Sequence, residues 1–122
     1  VKIILVKDPK TDASRKNLEQ VKDSVGLIAQ IEEADIIIDA MLGFGAKGAL
    51  RGEIKDACKM INKMKGFKVA IDMSTGLDAD SGEVDPDVII SDATICLHKC
   101  KKGVAKAGKK ITGELWVVPI GL

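Results

Sequence analysis

The chain has 122 residues, 46% hydrophobic and 30% charged, with a net charge of +1, the make-up of one ordinary globular domain. Aromatics are only 2% (Phe44, Phe67, Trp116, no tyrosine), which argues against a nucleic-acid binder that stacks bases on aromatic platforms; the near-neutral charge creates no whole-protein field for DNA or a membrane surface. The three cysteines, Cys58, Cys96 and Cys100, lack metal-ligand spacing and accompany a single histidine, so zinc is not expected and reduced thiols in a cytoplasmic protein are.

In chain order, Val1 to Val6 reads as a buried strand. Lys10 to Val25 reads as a helix capped by Thr11 or Asp12, with Leu18, Val21 and Val25 at helical spacing. Asp35 to Leu42 (DIIIDAML) is a near-continuous apolar run, the pattern of a central parallel strand covered on both faces. A glycine-rich loop follows, GFGAKGALRG. Glu53 to Met64 is then an amphipathic helix with Ile54, Ala57, Cys58 and Ile61 inward, ended by Gly66. Phe67 to Ile71, Ala93 to Leu97 and Glu114 to Ile120 complete the strands, with a lysine-rich loop between the last two. No apolar run reaches membrane-spanning length and no signal peptide opens the chain, so no membrane partner is expected. The chain opens without an initiator methionine, inside a strand-like run, and reads as a fragment or a domain cut from a longer protein. Residues 1–122 are read as a single domain. Strands alternating with helices predict an α/β fold with a mostly parallel sheet and right-handed crossovers. Such sheets bind ligands at the carboxyl ends of their strands, where Asp39 to Gly52, Asp72 to Gly82 and His98 to Lys110 fall.

Each of these segments carries its own chemistry. Gly43-Phe44-Gly45-Ala46-Lys47-Gly48 satisfies G-x-G-x-x-G after a strand, and Asp72 ends the next strand, where a dinucleotide fold keeps its ribose-binding acid. The acid lies further on than the usual spacing, and the helix starts near Arg51 or Gly52, outside the glycine run, so these glycines alternatively only supply unusual backbone angles. A Walker A loop is excluded, since no Gly-Lys-Ser/Thr follows. Within Asp72 to Gly82 (DMSTGLDADSG), the run starting Asp78-x-Asp80-x-Gly82 faintly resembles a calcium loop, but Glu83 replaces the required glycine at its sixth position and Ile89 the closing glutamate at its twelfth. Asp78, Asp80 and Ser81 are good turn formers, whereas Asp72 sits at the strand end. Lys99 to Lys110 holds six lysines and no acid, either a solvated mobile loop or a phosphate or RNA contact. His98 has no nameable orienting partner and reads as a strand-end residue.

Taken together, DAMLGFGAKGALRG, VAIDMSTGLDADSG, HKCKKG and GELWVVPIGL resemble, in order, the motifs of the YjeF N-terminal domain, or NAD(P)H-hydrate epimerase, family. The match spans Asp35 to Leu122, with Val1 to Val25 fitting more loosely. The family's asparagine- and glycine-rich phosphate loop has no counterpart, so the resemblance covers about the second half of the family domain, and the chain alone is expected to be weak or inactive. The resemblance implies a Rossmann-like three-layer sandwich and interconversion of the R and S epimers of NADHX and NADPHX, hydrated forms of the reduced nicotinamide cofactors. It implies a potassium ion held by Asp39 and by Thr75, which stands at the family's ligand serine. It also implies substrate contacts from Gly43, Phe44, Gly45, Ala46, Lys47, Gly48 and Ala49, from Asp72 and from Lys101, the last meeting phosphate charge. Asp72 is the expected catalytic group, because expelling and re-adding water needs a proton shuttle. The family further implies a homodimer and fusion to a sugar-kinase-like dehydratase domain. A non-catalytic nucleotide- or RNA-binding or dimerising module of the same fold is the alternative.

Overall fold

The computed structural model describes residues 1–121; Leu122, the end of the last motif, lies outside the described residues. The chain divides into two compact units, Val1–Glu32 and a larger one from Glu33 onward.

The first unit holds β1 (Lys2–Ile3), α1 (Asp12–Val21) and β2 (Gly26–Leu27), with β1 and β2 parallel. The expected six-residue buried strand is thus two residues long and not buried, and β2 is an element that the sequence patterning does not announce. Thr11 caps α1 through a capping box with Ser14. The helix stops at Val21, short of Val25, and buries none of its residues fully. With Leu18 and Val21 its only large apolar side chains, it has too narrow a stripe to demand a core.

The second unit contains β3 (Ile36–Asp39), α2 (Gly52–Lys63), β4 (Phe67–Ile71), β5 (Ala93–Leu97), α3 (Lys102–Ala107), α4 (Lys109–Thr112) and β6 (Glu114–Val118). Its four strands form an all-parallel sheet in the order β3-β4-β5-β6. Mixed α/β architecture around a parallel sheet is what a Rossmann-like sandwich requires. The strand order steps steadily in one direction, and right-handed crossovers then place every connection on the same face. Register puts Asp39 beside Ala70 and Ala70 beside Thr94, and these three are buried. The opposite face carries Ile36, Ile38, Phe67 and Trp116, which stay 64, 62, 52 and 62% exposed. The apolar run of β3, expected as a central strand covered on both sides, therefore lies at a sheet edge with one face open.

In α2, Ile54, Ala57, Cys58 and Ile61 are inward as the periodicity requires. The helix closes on an extended Met64 rather than on Gly66. The lysine-rich segment is not a loop. Val104, Ala107 and Ile111 recur at helical spacing and pack with Met73, Leu77, Ala79 and Cys96, so α3 and α4 fold over the sheet with many of their lysines outward. The closing strand ends at Val118 rather than Ile120 and is exposed throughout, as an edge strand. The three cysteines are free, with Cys58 and Cys96 buried.

Between β4 and β5 the chain is irregular and held by side chains. Asp85 accepts from the Leu50 amide at 2.9 Å and the Asp87 amide at 2.8 Å, tying the entry of α2 to this segment. Those amides, Asp87 first, hold the Asp85 carboxyl below its ordinary 3.8. A depressed carboxyl contributes stability that is present above 3.8 and lost as pH falls through the folded value. Asp85→Asn should lower stability by about 1–2 kcal/mol at neutral pH and shrink the further loss on acidification below about pH 4. Urea unfolding at both pH values measures this; an unchanged acid dependence would refute the assignment.

Candidate active site

Parallel pairing brings the carboxyl ends of β3, β4 and β5 to one edge of the sheet. At the end of β3, Asp39 is buried and takes three hydrogen bonds. Oδ2 accepts from the Thr75 amide at 2.7 Å, and Oδ1 from the Thr75 hydroxyl at 2.8 Å and the Met41 amide at 3.2 Å. Thr75 Oγ1 in turn accepts from the Leu42 amide at 3.2 Å. Burial raises the Asp39 pKa above its ordinary value, opposed by the Thr75 and Met41 bonds. The two residues expected to bind potassium are thus adjacent and bonded to each other. Asp39 Oδ2 and Thr75 Oγ1 each retain a lone pair. Oxygen donors alone suit a hard cation. Among the described residues no group of three or more His, Cys, Asp or Glu is arranged to hold a metal.

At the end of β4, Asp72 adopts a left-handed backbone with φ 72°, while its amide still donates to Ile95 in the neighbouring strand. Such a conformation is uncommon for a side-chain-bearing residue, though aspartate tolerates it. Asp72 Oδ1 is ion-paired with Lys101 Nζ, and both side chains are 17% exposed. Lys101 Nζ also donates to the Leu97 carbonyl at 3.2 Å. Burial lowers the Lys101 pKa from the ordinary lysine value. At Gly43 a β-carbon would lie 3.5 Å from Asp72 Oδ2, so the glycine loop passes directly over that carboxylate oxygen. A glycine there leaves Oδ2 reachable.

The rest of the loop makes a turn, Ala46 amide to Gly43 carbonyl at 3.0 Å, with Gly48 at φ 85°. Gly45 has open space where a β-carbon would go, and Ala49 is exposed. Lys47 reaches Asp80 at 3.1 Å across the strand ends, an exposed pair that adds little stability. Phe44, Asp80, His98, Lys99, Lys101 and Lys102 line one cleft of about 350 Å³. The expected residues therefore form two neighbouring groups: Asp39 with Thr75, and Asp72 with Lys101 beneath Gly43. Only Phe44 and Lys101 of them line the cleft itself. The three aspartates of the β4 exit separate in role. Asp78 Oδ1 accepts from the Ser81 and Asp80 amides and the Ser81 hydroxyl, holding the turn. Ser74 is also structural, bonded to Ser91 at 2.8 Å in the core.

Asp80 and His98 line the cleft, a placement that sequence reasoning did not assign to either, while His98 does stand at the strand end expected of it. His98 sits at φ 65°, with its amide on Val118 and the Lys99 amide folded back to Leu97 at 2.8 Å. This tight turn at the end of β5 swings Lys99 to Lys102 to the mouth. Histidine is enriched in left-handed positions, which is the local signal in the sequence for His98.

An all-parallel sheet with helices, a glycine loop and a carboxylate at its strand ends is the architecture of a Rossmann-like α/β protein. The family model described as YjeF-related protein N-terminus matches residues 1–103, and the chain belongs to that family. It is 45% identical over 127 residues to the bifunctional NAD(P)H-hydrate repair enzyme Nnr of Archaeoglobus fulgidus, covering 100% of this chain and 27% of that protein. It is 34% identical over 90 residues to the enzyme of the same name from Methanothermobacter thermautotrophicus, covering 74% and 17%. It is 38% identical over 107 residues to the NAD(P)H-hydrate epimerase of Elusimicrobium minutum, covering 88% and 45%. The chain thus spans less than half the length of each of these relatives.

Gly103 supports the site from below. A β-carbon there would meet the Asp78 carbonyl oxygen at 2.2 Å and the Ala79 backbone at 2.6 Å, so α3 lies directly against the turn. Gly103→Ala should push α3 outward, cost about 1–3 kcal/mol and weaken ligand binding by displacing Lys101. A thermal melt that matches the wild type would show the contact to be looser.

Proposed function

We propose that this chain carries an NAD(P)H-hydrate epimerase site, acting on the hydrated nicotinamide ring of NADHX and NADPHX. The observation that carries the reading is the Asp72 carboxylate, with one oxygen on Lys101, which lines the cleft, and the other beside Gly43. The names of the relatives support the substrate class. Epimerisation at a hydroxyl-bearing carbon next to nitrogen requires water to leave and return, hence charge stabilisation and proton exchange at one position. Asp72 touches that position. The loop from Gly43 to Ala49 and Phe44 in particular hold the substrate, and the lysines at the mouth favour its phosphates. A cleft of about 350 Å³ takes one end of a dinucleotide rather than the whole.

Asp39 and Thr75 would contribute two oxygens to a bound potassium ion, whose positive charge would offset the negative charge of the substrate's phosphates. This part of the reading is supported by the all-oxygen pair and the lone pairs left on Oδ2 and Oγ1. No helix among the described residues is long and apolar enough to cross a membrane. Since some relatives are bifunctional by name, a second activity on the same polypeptide is part of the proposal.

The test is to follow the R epimer of NADHX by chromatography with the complete polypeptide. Conversion to the S epimer is expected, and Asp72→Asn should slow it by about 10²–10⁴-fold. Replacing potassium with sodium should slow the wild type, and Thr75→Val should abolish that difference. A wild type that leaves the R epimer at its spontaneous rate sinks the proposal.

A further inference from the structure

The ion pair at the cleft divides the chemistry between its two members in a way that pairing alone does not announce. A carboxylate facing an ammonium is favoured in its charged form and so carries no proton to give. Asp72 is in that position, with Oδ1 on Lys101. The ammonium, by contrast, has three N–H donors. Two are used, on Asp72 Oδ1 and on the Leu97 carbonyl, and the third has no partner among the described residues, on a side chain that lines the cleft.

We propose that Lys101 is the proton donor for departure of the substrate hydroxyl, with Asp72 acting as the ionised partner that stabilises the cationic ring. This rests on the epimerase reading above and deepens it. In the first step the ring nitrogen's lone pair forms C=N, the C–O bond breaks, and a proton from Lys101 Nζ joins the leaving hydroxide as water. Lys101 is then a neutral amine and the ring an iminium cation beside the Asp72 carboxylate. Water then adds to the other face, the C=N pair returns to nitrogen, and the surplus proton passes to solvent in the cleft, from which Lys101 is reprotonated. Nothing is oxidised or reduced, and the proton lent is returned.

The other charged groups facing this cleft are placed differently. Asp80 is engaged by Lys47 at the surface, Lys99 and Lys102 are exposed, and His98 is held by backbone bonds at the end of β5. Burial favours the neutral amine that the first step generates at Lys101, against the pull of the paired Asp72 carboxylate toward the ammonium. An acid that works protonated loses activity as pH rises through its pKa, so kcat should fall on the alkaline side, below the ordinary lysine value of about 10.4.

The experiment compares wild type, Lys101→Met and Lys101→Arg in the complete polypeptide, with circular dichroism melts to verify folding. Both variants should lose about 10²–10⁴-fold in kcat and the alkaline limb, while the KM of Lys101→Arg stays within a few-fold of wild type. Arginine keeps the positive charge but does not release a proton in this range. A Lys101→Arg variant that retains near wild-type kcat, or a Lys101→Met variant that changes only KM, would overturn the assignment and make Lys101 a phosphate contact. An alkaline limb that survives in Lys101→Met would move the donor to another group, His98 first, and also overturns it. A wild type without epimerisation removes the underlying reading as well, so the two failures are told apart by the wild-type assay.

Discussion

The second unit hangs on one buried carboxylate. Asp39, at the end of an edge strand, collects the Thr75 amide and hydroxyl and the Met41 amide, and Thr75 takes the Leu42 amide in return. Three of these bonds bind the exit of β4 to the exit of β3, and the Met41 bond closes the β3 exit on itself. They also fix where the chain emerges into the glycine loop, so that Gly43 passes over Asp72. A buried carboxylate without partners would cost several kcal/mol or stay protonated. Here desolvation and hydrogen bonding oppose each other, and desolvation prevails in setting its pKa. The same oxygens that brace the loop also have lone pairs to offer a hard cation. Scaffold and ion site would then be one structure.

The second constraint is topological. Because β3, β4, β5 and β6 follow in order, their right-handed connections share a face, and the burial of Ala70, Thr94, Cys96 and Val104 all belongs to that side. The strand ends are gathered on one edge as a by-product. Two of them finish on left-handed residues, Asp72 and His98, at a cost of roughly 1–2 kcal/mol each. In both, the amide stays in the ladder while the chain after it turns away, so a side chain is aimed from a rigid sheet rather than a mobile loop. The carboxylate and lysine of the cleft meet because α3 is clamped to the turn at Gly103, without room for one more carbon.

Much of this arrangement was written locally. The helical spacing of Ile54, Ala57, Cys58 and Ile61 identified α2, and the short runs FKVAI and ATICL identified β4 and β5 to the residue. The motif order pointed to the family that the comparisons show. The misses share a cause. The stretch from Lys99 to Lys110 looked like solvated loop because its lysines outnumber the Val104, Ala107 and Ile111 positions that direct its folding. The run around Ile36 and Ile38 looked like a strand covered twice, since periodicity reports apolar character and not which strand order, or which neighbour, supplies the cover.

By itself the sequence determined the α/β class, the placement of glycines and acids at strand ends, and the family, because those depend on periodicity and short spacing. Tertiary structure alone decided that Asp39 is bonded to Thr75 instead of standing open, that Asp80 faces a cleft, and that Lys101 lies on Asp72. Those last two stand 29 positions apart, a separation with no spacing rule; only the parallel pairing of β4 with β5 and the docking of α3 bring them together.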